Sequence, residues 1–198
     1  MAAQGDADIR AALIAAVTAH PQIAKVLDRM DDMQLPDAWI VSGAVIQPYL
    51  NQRYGYPPEH GIKDIDIFYY DGADLSEESE AKTAARVRDL LLDVDLPMDI
   101  KNQARVHLWY EQKFGRPITQ FENSAAAITC FQTVIGAVGM RKTGDLIEIV
   151  ADSGFADLEA GIVRPLNRES VSVENYTAKA KTWQDRWPEL KIIPRSDG

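Results

Sequence analysis

One cysteine, Cys130, occurs in the 198 residues. That excludes an intramolecular disulfide framework and any cysteine-built zinc centre. Its neighbours in "ENSAAAITCF" are largely apolar, so the thiol reads as a small buried hydrophobe in a reducing, cytoplasmic setting rather than as a nucleophile. Histidine is scarce too: His20, His60 and His107 share no ligand spacing with one another or with Cys130, so no zinc site is expected. No apolar run approaches membrane-spanning length, and "MAAQGDADIR" has acidic residues before its first arginine, so neither a membrane span nor a secretory signal is expected. Positive charge is in deficit. With 21 Lys and Arg against 30 Asp and Glu, for a net charge of −9, the chain lacks the broad basic surface that a nucleic-acid backbone requires. Internal repeats and low-complexity tracts are absent as well.

What is present reads as an ordinary globular chain, 46% hydrophobic and 26% charged. Its length fits one domain over residues 1–198, with a core at about 36–115 and the remainder, about 116–198, packed on it. Ile9, Ala12, Leu13, Ala16 and Val17 form a helical stripe, repeated by Ile23, Val26, Leu27 and Met30 behind Pro21. "DAWIVS" predicts a short buried strand, and "AVIQPYLNQRY" a helix that Pro48 kinks or shortens. "GYPPEHG" is a loop. Ser76 caps a helix whose first turn carries Glu77, Glu78 and Glu80, favourable at the positive end of the helix dipole. "LPMDIKNQ" predicts a third strand, and "ARVHLWYEQKFG" a helix ended by Gly115. "TVIGAVGMRK" and "LIEIVA" predict a hairpin around the three-residue loop Thr143-Gly144-Asp145. A short helix near "GFADLEAG" and a longer one around "VENYTAKAKTWQDRW" follow. From Arg164 to Arg195 there are seven Lys or Arg and four Asp or Glu, a mildly basic end that fits surface charge compensation or a phosphate-facing role.

Chemistry concentrates in "GIKDIDIFYYD". In an extended chain Asp64, Asp66, Phe68 and Tyr70 share one face, so two carboxylates sit side by side and need solvent or a cation. Carboxylate oxygens are the ligands Mg²⁺ and Mn²⁺ prefer, and Asp99, on a strand reached by a helical crossover, could join them. Earlier, "VSGAV" ends a strand and opens a helix, where Ser42 and the backbone N–H groups of Gly43 and Ala44 could hold nucleotide phosphates.

In these stretches, together with "MDIKNQARVHLWYEQKFG", "GFADLEAGIVRP" and "YTAKAKTWQDRWPEL", the chain resembles bacterial nucleotidyltransferase-like proteins of the DNA polymerase β superfamily over roughly residues 39–190. The resemblance implies an α+β fold: a mixed sheet with flanking helices, a helical N-terminal segment and a C-terminal hairpin and helix extension. It implies Ser42 and Gly43 near a triphosphate, and Asp64, Asp66 and Asp99 as catalytic residues and ligands of Mg²⁺ or Mn²⁺. It also implies transfer of a nucleoside monophosphate from an NTP to an unknown, small acceptor with release of pyrophosphate. Two departures stand out: Ala44 replaces the glycine or serine usual after Gly43, and the interval from Gly43 to Asp64 is longer than in many members. A catalytically inactive ligand-binding module and a two-metal phosphohydrolase are the alternatives.

Lys101 shares a strand face with Asp99, and either neutralises a triphosphate or pairs with Asp99. Asn102, Gln103, Arg105 and His107 offer donors near the strand end, with Asn102 also a helix cap and His107 an ordinary helix residue. Trp109, Tyr110, Trp183 and Trp187 read as core. Tyr176, Lys179 and Lys181 lie close together on one helix, from which Lys179 could reach an anionic substrate.

Overall fold

Short strands that alternate in side-chain direction divide this molecule into two unlike faces. A computed structural model describes residues 2–166 and 172–195; Arg168 and Glu169 of the mildly basic end lie outside that range. Helices α1 (Ala2–Ala19) and α2 (Pro21–Asp28) come first, then β1 (Trp39–Val41), α3 (Gly43–Tyr54) and β2 (Ile65–Tyr69). Next are α4 (Glu77–Leu90), β3 (Met98–Asn102), a 3-10 turn (Gln103–Arg105) and α5 (Val106–Phe114). The chain continues through α6 (Ser124–Ile128), β4 (Val138–Thr143), β5 (Leu146–Ala151), α7 (Ala156–Ala160), β6 (Ile162–Val163), α8 (Val173–Arg186) and β7 (Lys191–Ile192).

The five-stranded sheet has the order β3-β2-β1-β4-β5. β2 and β3 run parallel, joined by α4 as crossover, whereas β1 pairs antiparallel with β2 and with β4. This is the mixed α+β architecture the resemblance implied. The C-terminal hairpin enters the sheet through β4, and β6 pairs with β7 in a separate two-stranded sheet.

On one face Ile40, Ile65, Ile67, Tyr69, Ile100 and Met140 join the main core with the apolar stripes of α1, α2, α3 and α4. On the other, Trp39, Val41 and Ile128 form a smaller cluster against Phe68, Phe131 and Val150. Gly139 permits that close approach, since a Cβ there would lie 2.6 Å from the Ile128 side chain and 3.2 Å from Trp39. Asp37 ties α6 to the entry of β1: its carboxylate accepts from the Ser124 N–H at 2.7 Å, from Trp39 Nε1 at 3.0 Å and from Arg141 Nη1 at 3.2 Å. Over β2 and β3 this second face is left for the site.

Two local expectations are corrected. α3 runs through Pro48 to Tyr54 without interruption: the missing N–H removes one ladder bond, but residues Ala44 to Asn51 are buried and tertiary packing outweighs that loss. The β4–β5 turn has two residues rather than three, because Thr143 pairs with Leu146 and Gly144 takes φ 55°. Ser76 does cap α4, its hydroxyl accepting from the Ser79 N–H at 3.2 Å, and Gly115 ends α5 in the left-handed region. His20 caps α2, with Nδ1 accepting from the N–H groups of Gln22 and Ile23 at 3.3 and 3.2 Å.

The Gly-Pro loop is held by a buried amide. Asn51 donates from Nδ2 to the carbonyls of Pro58 and His60, both at 2.9 Å, while its Oδ1 accepts from Trp187 Nε1 at 2.9 Å. Trp183 and Trp187 are core residues, as expected. Among the described residues no helix is long and apolar enough to cross a membrane.

Candidate active site

β1 and β2 run antiparallel with Val41 opposite Asp66, and β2 and β3 run parallel with Asp66 opposite Asp99. The strand pairing therefore puts the turn after β1, Asp66 and Asp99 in sequence across the sheet. In that turn Ser42 is 2% exposed with φ 53° and ψ −115°, and its N–H donates to the Val138 carbonyl at 2.8 Å. A non-glycine residue with this backbone stores strain on the order of 1–3 kcal/mol, held here by the sheet. The Ser42 side chain makes no capping hydrogen bond to α3, so it does not use up the N–H groups at that helix start. At Gly43 a Cβ would come within 2.8 Å of the Gln47 amide.

Asp64 lies just before β2 and is exposed, Asp66 is half-buried within it, and Asp99 is exposed on β3. Burial, then the charges of Asp64 and Asp99, push the Asp66 carboxyl up from 3.8 to about 6, against a smaller downward pull from Lys179. Asp99 has a cationic neighbour of its own, Lys101 Nζ at 3.5 Å from Oδ1. The donor set is all oxygen, and Lys179 only partly offsets the charge at Asp66, which suits a hard divalent cation. Among the described residues no three His, Cys, Asp or Glu side chains already stand gathered around a common ion position.

Beside the aspartates opens a cavity of about 690 Å³. It is lined by Asp66, Asp99, Lys101 and Lys179, by residues of α5 and by Phe121. Phe68 and Phe131, stacked at 5.5 Å and 7°, line it as well. Arg105 also lines it, fixed by an ion pair with Glu80 and by donating from Nε to the Leu75 carbonyl at 2.7 Å. Asn102 locks the strand end, its Oδ1 accepting from the N–H groups of Ala104 and Asp71 at 3.1 and 3.0 Å.

Several sequence readings change at this point. Trp109 and Tyr110 line the cavity rather than the core. Cys130 is half-buried and lines it too, so it is not fully interior. Of the three grouped residues on α8, Lys179 alone reaches the cavity: Tyr176 is buried with its hydroxyl on the Val163 carbonyl, and Lys181 pairs with Asp185 at 2.8 Å. Lys113, Phe121 and Gln132 had not been singled out. The signal for Lys113 was its place in the stripe Val106, Trp109, Tyr110, Lys113, Phe114, where a charge breaks an otherwise core-like pattern. His107 does not line the cavity, and its Nδ1 is buried without a hydrogen-bond partner among the described residues.

An antiparallel β1–β2 pair, a glycine-opened helix and acidic residues in register on parallel neighbours thus stand together on one sheet. The nucleotidyltransferase family profile matches residues 28–192, and the chain belongs to that family, a family of transferases. Among solved structures, a CCA-adding enzyme head domain is similar at 23% identity and a TM-score of 0.74, with 92% of this chain and 95% of that one covered. The Thermotoga maritima CCA-adding enzyme complexed with tRNA is similar at 15% identity and a TM-score of 0.57, covering 91% of this chain and 42% of that one. A CCA-adding enzyme with ATP gives 18% identity and a TM-score of 0.51, covering 87% and 39%. The chain thus spans about two fifths of those two longer enzymes, and at these identities the likeness is one of fold. No curated protein matches it significantly.

Proposed function

We propose that the protein, working as one domain, transfers a nucleoside monophosphate from an NTP to a small acceptor, with Mg²⁺ or Mn²⁺ held by Asp64, Asp66 and Asp99. The observation that carries this reading is the register pair Asp66–Asp99 on an open sheet face, where burial and the charges of Asp64 and Asp99 leave Asp66 needing a cation. A bound divalent ion would supply charge neutralisation at the reacting phosphate.

The chain's own groups supply the rest. The N–H groups at Gly43 and Ala44, with Ser42 beside them, bind the outer phosphates at the start of α3. Lys101 and Lys179 balance phosphate charge from the two other sides. The acceptor oxygen attacks the α-phosphorus, its proton passes to Asp99, and the bond to the β-phosphate bridging oxygen breaks to release pyrophosphate. For Asp99 to act, its carboxylate turns away from Lys101. The net charge of −9 supports a small acceptor over a long nucleic acid, although one structural neighbour is complexed with tRNA.

The test is isothermal titration of Mg²⁺ or Mn²⁺ with each of ATP, GTP, CTP and UTP, comparing wild type with Asp64→Ala/Asp66→Ala. Binding that is lost in the variant is expected; equal binding in both would overturn the metal site. The Asp99–Lys101 ion pair favours a second reading, a ligand-binding module without turnover. Pyrophosphate release across acceptor pools separates the two.

A further inference from the structure

The aromatic stripe of α5 does not do what such a stripe usually does. Val106, Trp109, Tyr110, Lys113 and Phe114 follow i, i+3, i+4, i+7 and i+8, the spacing of a core-facing helix, yet Val106 alone is buried and all five line the cavity. Lys113 lies over two of these rings, its Nζ 5.4 Å from the centroids of both Trp109 and Phe114. No carboxylate partner of Lys113 occurs among the described residues. A cation seated on rings, with no acid to neutralise it, presents an anion-binding head on an aromatic platform whose rings are tilted 35–45° to one another.

Position says which substrate meets that platform. In phosphoryl displacement the attacking and leaving oxygens are roughly in line across phosphorus. The strand order β3-β2-β1 sets Asp66 between Asp99 and the start of α3, which follows β1, and Asp66 and Asp99 line the cavity together with α5 whereas Ser42 and Gly43 do not. With pyrophosphate leaving toward Gly43, the attacking oxygen arrives from the cavity. We propose that the α5 platform is the acceptor subsite and that the acceptor is a small molecule joining a planar aromatic ring to an anionic group, the ring stacked on Trp109 with Tyr110 at its edge and the anion met by Lys113. This rests on the nucleotidyl-transfer reading for the word acceptor; the platform's preference for ring-bearing anions does not.

Tryptophan fluorescence reads the site selectively, because Trp39, Trp183 and Trp187 are 6%, 2% and 0% exposed while Trp109 lines the cavity. The probes are 4-hydroxybenzoate and AMP as ring-bearing anions, tyramine as a ring-bearing cation, and glucose 6-phosphate as an anion without a planar ring. The two ring-bearing anions are expected to quench wild-type emission and bind more tightly than the other two. Lys113→Glu is expected to raise the Kd for 4-hydroxybenzoate by about tenfold or more, with an unchanged far-ultraviolet spectrum. In Trp109→Phe the quench disappears while calorimetric binding persists. Tighter binding of tyramine or glucose 6-phosphate, an unchanged Kd in Lys113→Glu, or no binding of either ring-bearing anion would overturn the proposal. Binding of 4-hydroxybenzoate is expected to survive Asp64→Ala/Asp66→Ala, so a failure of metal and NTP binding is separable from a failure of the platform.

Discussion

Replacing Asp66 by asparagine is expected to stabilise the metal-free protein while abolishing its response to metal and nucleotide. Asp66 is half-buried, and its carboxyl is raised from 3.8 to about 6. A tenfold change in a carboxyl's acidity on folding is worth about 1.36 kcal/mol, so the ionised side chain at pH 7.5 opposes folding by up to about 3 kcal/mol, and by about 1–2 kcal/mol once water relaxes around it. The sign follows from the raised value: the unfolded chain ionises first, so the group is harmless below about pH 4 and opposes folding increasingly as pH rises through about 6. Asparagine keeps the shape and removes the charge. In EDTA at pH 7.5 the variant's melting temperature is expected to lie roughly 2–8 °C above wild type, at about 2–4 °C per kcal/mol for a chain of this size. The gap should shrink steadily toward pH 4. Adding Mg²⁺ and NTP should reverse the order, because a ligand at about 100 times its Kd stabilises wild type by about 2.7 kcal/mol and leaves the variant unmoved. Differential scanning fluorimetry over pH, with and without the ligands, measures all three effects. A variant less stable than wild type in EDTA, or a gap independent of pH, would refute the account of a carboxylate disfavoured by burial and by its acidic neighbours.

Three further outcomes are expected. Asn51→Ala removes the bonds to Pro58, His60 and Trp187 and leaves their buried groups unpaired, so urea unfolding should show a loss of about 3 kcal/mol. Burial lowers the pKa of His20, whose Nδ1 must stay unprotonated to cap α2; stability should be full above about pH 6.5 and fall below it, whereas His20→Asn should flatten that dependence in thermal melts. Lys179→Ala should leave the fold intact and weaken NTP binding by about tenfold in calorimetry, since it removes a cation facing Asp66 in the cavity.

The order of the elements along the chain was readable because strand alternation and turn residues are local signals. Ile65, Ile67 and Tyr69 pointed to the core and Asp66 and Phe68 away, which also foretold that Asp66 and Asp99 would share a face. Capping chemistry was equally local, as Ser76 and Gly115 show. What escaped were properties set by partners distant in sequence. Pro48 looked disruptive because the burial of α3 is invisible in the local pattern. Trp109 and Tyr110 looked like core because helical spacing reports a buried face but not whether protein or cavity lies against it. The Asp37 contacts across α6 and β4 had no local signal at all.

The middle position of β1 has a consequence for how the protein is made. Both neighbours of β1 arrive later in the chain, β2 at Ile65 and β4 only at Val138. Until the ribosome has delivered β4, β1 presents an unpaired edge bearing Trp39, Ile40 and Val41, an apolar template for pairing with another nascent chain. Synthesis halted between β2 and β4 should therefore leave aggregation-prone fragments, so the timing of β4 sets the window in which a chaperone is most needed.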